Sequence, residues 1–214
     1  VLALYLLFVP YGKEEKHHEE HHGGKGLTAA QWFLTIGLAL VAGVIVLTNV
    51  AINVRVPGLV EKSGMGSVQT AGLILSSMQL IGIAAGLSFA PLLHYFKENL
   101  LTVAGVVFGL TTIMIGLAPN LLLLSVVTIA YGFVYSVSLT AIFHILSERI
   151  PSKSLNQATS IVILGCSAGA TATTFFLSLI GQFSSQASFI FGVLGSLMVL
   201  MAVLAFGILK KKSA

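Results

Sequence analysis

Six apolar stretches, each about as long as a bilayer is thick, constrain this chain more than any other feature. They run over roughly 31–54, 67–93, 100–118, 120–145, 156–181 and 186–209. A helix needs about 20 residues to cross the hydrocarbon core. Lipid gives backbone groups no hydrogen-bond partner, so spanning segments are helices or the strands of a closed barrel. A barrel strand is about 10 residues of alternating hydrophobicity; these runs are longer and do not alternate. The expected fold class is therefore all-α, a polytopic membrane bundle of six transmembrane helices. Composition agrees: 8% of residues are charged, where a soluble domain has about 25%.

Three regions follow along the chain. Residues 1–10 (Val1–Pro10) form an apolar run of half a span's length, read as the end of a truncated transmembrane helix. A basic start and a small-residue cleavage site, which a signal peptide needs, are both missing there. Residues 11–30 read as a polar linker rich in His and Glu, and 31–214 as a six-helix unit. The five prolines, Pro10, Pro57, Pro91, Pro119 and Pro151, fall at or near span ends, where a missing N–H does least harm. Short loops between spans make consecutive helices antiparallel neighbours.

Charge sets the expected orientation. Lys13, Lys16, Lys25, Lys97, Arg149, Lys153, Lys210, Lys211 and Lys212 fall on one side of the alternating topology, and only Arg55 and Lys62 on the other. Basic loops stay in the cytoplasm, so the linker and the C-terminus are expected there, in a multi-pass protein of the cell membrane. The formal charge of +4 arises from small clusters rather than a basic face, so the lipid bilayer, not nucleic acid, is the expected partner. The single cysteine, Cys166, cannot form an intrachain disulfide.

Four of the spans carry polar residues at helical spacing, about 100° per residue. The first has Gln31, Thr35, Ala42, Asn49 and Asn53 on one side. The second has Gln69, Gly72, Ser76 and Gln79. The fourth has Thr128, Tyr131, Tyr135 and Ser138, and the fifth Gln157, Ser160, Ser167, Thr171 and Thr174. The third and sixth have no such stripe and are expected to face lipid. Two readings of the stripes stand side by side: the wall of a water-filled path, and close helix packing through small polar residues. Large amides deep in a membrane are costly without water or partners, which is why Asn49, Asn53 and Gln79 draw notice. The candidate path residues are Asn49, Asn53, Gln69, Ser76, Gln79, Tyr131, Tyr135, Ser138, Ser167 and Thr171. Three GxxxG spacings, Gly82/Gly86, Gly105/Gly109 and Gly165/Gly169, read as packing within the fold.

A charged linker followed by six spans, with a polar, polar, apolar rhythm given twice, resembles the C-terminal half of the major facilitator superfamily. Gly132 to Ser154 resembles that family's tenth helix and the loop after it, ending in Glu148, Arg149, Ile150 and Pro151. Ser160 to Gly181 is similar to the Gly- and Ala-rich eleventh helix. The resemblance implies two three-helix repeats, with Val1–Pro10 the end of the sixth helix and an N-terminal six-helix half as partner. It is nearest in flavour to bacterial drug-efflux-type members. The loop after the second span departs from the family's Gly, Asp, Arg, Gly, Arg pattern; in His94-Tyr95-Phe96-Lys97-Glu98-Asn99 only the base at Lys97 is kept.

The linker poses a rival reading. His18, Glu19 and His22 match H-E-x-x-H, a zinc protease pattern, and His17, Glu20 and His21 match its inverted form. Any alternating His/Glu tract matches both, so a solvated linker is the expectation. The alternatives are a divalent metal held by His17, His18, His21 and His22, or a membrane metalloenzyme. No cofactor is expected. His144 reads as an interfacial histidine, with a proton relay as the alternative.

No Asp, Glu, Lys or Arg lies deep within the six stretches. If transport is coupled to protons, the buried acid that coupling needs is expected in the other half. These residues then read as one wall of a secondary transporter working by alternating access. Proton-coupled efflux of an amphipathic small molecule is the leading expectation. Uptake of a sugar or other neutral metabolite is the alternative.

Overall fold

A computed structural model describes residues 27–184 and 186–210, apart from the side chains of Glu98 and of residues 208–210. The truncated helix, the linker and the histidine tract read from the sequence lie outside the described residues. Six helices account for nearly everything described: α1 (Ala29–Lys62), α2 (Val68–Phe96), α3 (Leu100–Leu117), α4 (Leu121–Arg149), α5 (Ser152–Phe183) and α6 (Ala187–Lys210). All six are long and apolar enough to cross a membrane, and no strand occurs among the described residues.

Local chemistry sets the ends. Thr28 and Gln31 form a reciprocal capping box at the start of α1. The Ser67 hydroxyl accepts from the Thr70 N–H before α2, and Asn120 Oδ1 accepts from the Leu123 N–H at 2.9 Å before α4. Such caps satisfy N–H groups that the first turn leaves without a partner. At the other end of α1, Gly64 takes φ +67, a conformation open to glycine because it has no Cβ. Its N–H bonds Glu61 O and the Met65 N–H bonds Val60 O, the paired bonds of a Schellman stop.

Each apolar stretch coincides with one helix, but the prolines differ from expectation. α1 runs on five residues past Pro57, and α2 five residues past Pro91. Proline lacks only its own N–H and disturbs the carbonyl four residues before it. Near a helix end, where the chain is reaching the headgroup layer, that is tolerable.

The pairing of the helices reveals the architecture. The three most extensive contacts are α3 with α6, α1 with α5, and α2 with α4; α3 with α4 and α1 with α6 come next. Exchanging α1–α3 for α4–α6 in order maps this set onto itself: α1·α5 becomes α4·α2, α3·α4 becomes α6·α1, and α3·α6 is unchanged. The bundle therefore has an internal two-fold relation between two three-helix repeats. It forms a row α2, α4, α1, α5, with α3 and α6 paired behind α4 and α1.

Small residues make the crossings. A Cβ built on Gly169 would sit 2.0 Å from Gly43 O, and one on Gly165 would sit 2.5 Å from Ala39 O. In the related α4·α2 crossing, a Cβ on Gly132 would meet Met78 O at 2.2 Å. Between α3 and α6, Gly105 faces Ala202, and Gly109 and Gly195 face each other's backbone. Two of the three GxxxG spacings are thus packing contacts. The third is split: Gly82 lies against Ser136, while Gly86 faces open space.

Candidate functional site

The open polar surface belongs to α2 and α5. They are the least enclosed helices, with 17% of the membrane window buried in each. On α2, Gln69, Gly72, Ser76, Gln79 and Gly86 are exposed at helical spacing, beside an exposed apolar edge of Leu73, Leu80 and Leu87. On α5, Gln157, Ser160, Ser167, Thr171 and Thr174 are exposed, and the line continues through Ser178 and Gln182. Those last two were missed in the sequence, because they sit among Phe and Leu residues close to the predicted span end. By contrast, the exposed residues of α3 are Val107, Leu110, Met114 and Leu117, all apolar. That outer face suits lipid, as expected. Yet α3 is not loosely held: 44% of its window is buried, chiefly through the glycine seam with α6.

The hydroxyls on α5 are partly committed. Ser160 Oγ donates to Asn156 O at 2.9 Å and Thr171 Oγ1 to Ser167 O at 2.9 Å. Their O–H groups are satisfied within the helix, so toward a solute they present acceptor lone pairs. Gln79 presents an amide on a flexible stem, and Gln69 does the same with its Oε1 accepting from Ser67 Oγ at 3.4 Å. α2 and α5 stand at the two ends of the row of four helices, and each carries an open polar face.

The stripes on α1 and α4 turned out differently. Thr35, Thr48, Thr128, Tyr131 and Ser138 are fully buried, and Asn49 is 9% exposed. Here the packing reading applies, because neighbouring helices cover that side. Tyr131 lies between Phe108 of α3, with centroids 4.6 Å apart, and Tyr135, stacked at 6.4 Å. Ser138 Oγ returns its proton to Val134 O at 2.8 Å. Asn53 is half-buried, its Nδ2 donating to Asn49 O at 2.8 Å. Of the ten candidates, Gln69, Ser76, Gln79, Ser167 and Thr171 are open in this bundle. Asn53 and Tyr135 are half-open, and Asn49, Tyr131 and Ser138 are enclosed. The face of α1 that is open near its start is apolar: Trp32, Phe33, Ile36 and Leu40.

Enclosure leaves polar atoms to account for. Asn49 Oδ1, Thr128 Oγ1 and Tyr131 OH are buried without a hydrogen-bond partner among the described residues. Each such atom costs about 1–3 kcal/mol. They cluster on the two central helices, α1 and α4.

Two clefts lie toward the ends. Lys97, His144, Glu148 and Arg149 line one of about 310 Å³ between α2, α3 and α4. His144 Nε2 is 3.4 Å from Glu148 Oε1 and its ring meets Phe89 edge-on at 5.8 Å. Thr140 Oγ1 gives its proton to Ser136 O, so it extends no relay toward His144. Lys97 takes φ +48. At the opposite end, α1, α5 and α6 enclose a larger cleft of about 620 Å³ containing Arg55 and Lys62. Among the described residues there is no group of three His, Cys, Asp or Glu side chains placed to hold a metal.

A bundle of six spans, related internally by a two-fold exchange, is a fold found in a solved transporter structure. The match among solved structures is the crystal structure of a bacterial homologue of the human lysosomal transporter Spinster, in an inward-facing and unoccupied conformation. The TM-score is 0.66 at 13% sequence identity, over 86% of this chain and 44% of that one. The chain thus spans less than half the length of the transporter it matches. No family profile matches it, and no curated protein does.

Proposed function

We propose that this chain is the C-terminal half of a secondary transporter. It rocks against an N-terminal six-helix half and passes a small molecule between them by alternating access. The supporting observation is the pair of open polar faces on α2 and α5, which have no use in lipid and stand at the two ends of the row of helices. On this reading Gln69, Ser76 and Gln79 face Ser167, Thr171 and Ser178 across the path, with Tyr135 and Asn53 between them. The apolar edge of Leu73, Leu80 and Leu87 and the near absence of ionisable groups favour an amphipathic cargo, exported in exchange for protons. The coupling acid belongs to the other half. The exposed amides of Gln69 and Gln79 favour the second reading, uptake of a sugar or similar neutral metabolite. The basic residues Lys97, Arg149 and Lys153 favour a cytoplasmic side for the end of the bundle that carries them. A match to a transporter fold supports transport over catalysis.

The test is accessibility in the complete protein. In a Cys166→Ser background, Gln79→Cys, Ser167→Cys and Thr171→Cys should react with a water-soluble, membrane-impermeant maleimide, and Leu110→Cys should not. Transported cargo should slow the first three. Reaction of Gln79→Cys and Thr171→Cys only with lipid-soluble reagents would place these faces in hydrocarbon and remove the path.

A further inference from the structure

The cleft between α1, α5 and α6 meets the proposed path only at Thr174 and Ser178; its cationic end lies outside it. It runs along α1 from Val50 and Val54 through Arg55, Gly58 and Leu59 to Lys62 and Ser63, walled by Thr173, Thr174, Leu177 and Ser178 of α5 and by Ile190 and Phe191 of α6. From Val50 to Lys62 the helix rises about 18 Å. The inner part is apolar and the outer part cationic. The apolar stretch of α1 ends near residue 54, so Arg55 and Lys62 stand where hydrocarbon gives way to headgroups.

Three observations point to an anionic occupant. Both ionisable groups lining the cleft are cations, Lys62 at the end of the helix and Arg55 about two turns before it. The one acid nearby in sequence, Glu61, is exposed and does not line the cleft. Arg55 Nε is buried without a hydrogen-bond partner among the described residues, although Arg55 as a whole is only half-buried. A guanidinium N–H in that position needs an acceptor, and the planar fork of arginine fits two oxygens of a phosphate or carboxylate. Lys62, two turns on, adds a flexible point charge. The hydroxyls of Thr174 and Ser178 offer further donors.

We propose that this cleft binds the oxyanion headgroup of an amphiphile, with the charged oxygens on Arg55 and Lys62 and a chain lying along Val50, Val54 and Leu177. The shared chemistry is a phosphate-type oxyanion, supplied by an anionic phospholipid of the surrounding leaflet or by a free anion. The inference does not depend on what the protein transports, and its readout is binding.

The experiment uses the complete protein in nanodiscs of phosphatidylcholine with phosphatidylglycerol, with retained lipid counted by native mass spectrometry. A second arm measures thermal stabilisation by inorganic phosphate in detergent. Wild type should retain at least one phosphatidylglycerol in preference to phosphatidylcholine. Arg55→Gln combined with Lys62→Gln should weaken that retention about tenfold, a change worth about 1.4 kcal/mol. Arg55→Lys, which keeps the charge and most of the packing, should stay within about threefold of wild type. Retention of phosphatidylglycerol without a phosphate effect assigns the site to a lipid headgroup; a phosphate effect lost in the double variant assigns it to a free anion. No preference for the anionic lipid and no phosphate effect in wild type would overturn the proposal. Equal retention by wild type and a folded double variant would do the same, as would loss in Arg55→Lys as complete as in Arg55→Gln.

Discussion

Gly169→Ala gives the most direct test of the fold. The added Cβ would lie 2.0 Å from the carbonyl oxygen of Gly43 on α1. A carbon and a carbonyl oxygen do not approach within about 3.3 Å without repulsion. The two helices must separate by about 1.3 Å at the crossing, or slide past one another. The obstacle is backbone, so no side chain can rotate to make room. Separation also disturbs the flanking contacts of Gly165 with Ala39 and of Thr173 with the Leu47 carbonyl. Overpacking of this kind costs about 1–3 kcal/mol. At about 2–4 °C per kcal/mol for a unit of this size, the expected loss in melting temperature is about 2–12 °C. The control is Gly86→Ala, where nothing lies within 4 Å of the new methyl and the alanine's helix preference leaves stability unchanged or raised. The assay is thermal unfolding in detergent, followed by the monodisperse fraction on size-exclusion chromatography. Gly169→Ala as stable as Gly86→Ala would refute the close α1·α5 crossing, and with it the pairing on which the two-fold relation rests.

Three further outcomes are expected in the same assay. Asn120→Ala removes the acceptor for the Leu123 N–H and should cost about 1 kcal/mol, with Asn120→Ser restoring most of it. Tyr131→Phe removes a buried hydroxyl that has no partner among the described residues, so stability should hold or rise; a drop in melting temperature would reveal a bond this structure does not contain. Lys97→Gly relieves a positive φ in a residue that carries a Cβ, a strain of about 1–3 kcal/mol, and should raise the melting temperature; a fall would show that the Lys97 side chain holds the turn.

The number of the helices was legible because hydropathy runs are a local signal, but not all their limits: the apolar run of the first stops near residue 54, while its helix continues through Pro57 to Lys62. The repeat was legible only through the resemblance, since no two corresponding helices share a recognisable motif. The polar stripes were half legible. A stripe at helical spacing fixes which residues share a face, but not what covers that face. Gln79 and Tyr131 carry equally strong signals in sequence; one is open and the other sealed under Phe108, a partner from a different helix. The cleft at Arg55 was invisible for the same reason. Its walls come from residues more than a hundred positions apart, and the two cations read only as an orientation signal.

The exchange of partners between repeats also bears on how the chain enters the membrane. α1 makes its largest contact with α5, α2 with α4 and α3 with α6, so the first three helices leave the ribosome before most of their partners exist. Gly43 waits in the bilayer with its backbone bared to lipid tails until Gly165 and Gly169 have been synthesised. The first repeat has few contacts of its own to hold it, and it becomes compact only as the second threads between its members. Assembly of this bundle is therefore completed late: before α5 and α6 are made, α4 can pack on α2 and α3, but α1 and α3 still lack their largest partners.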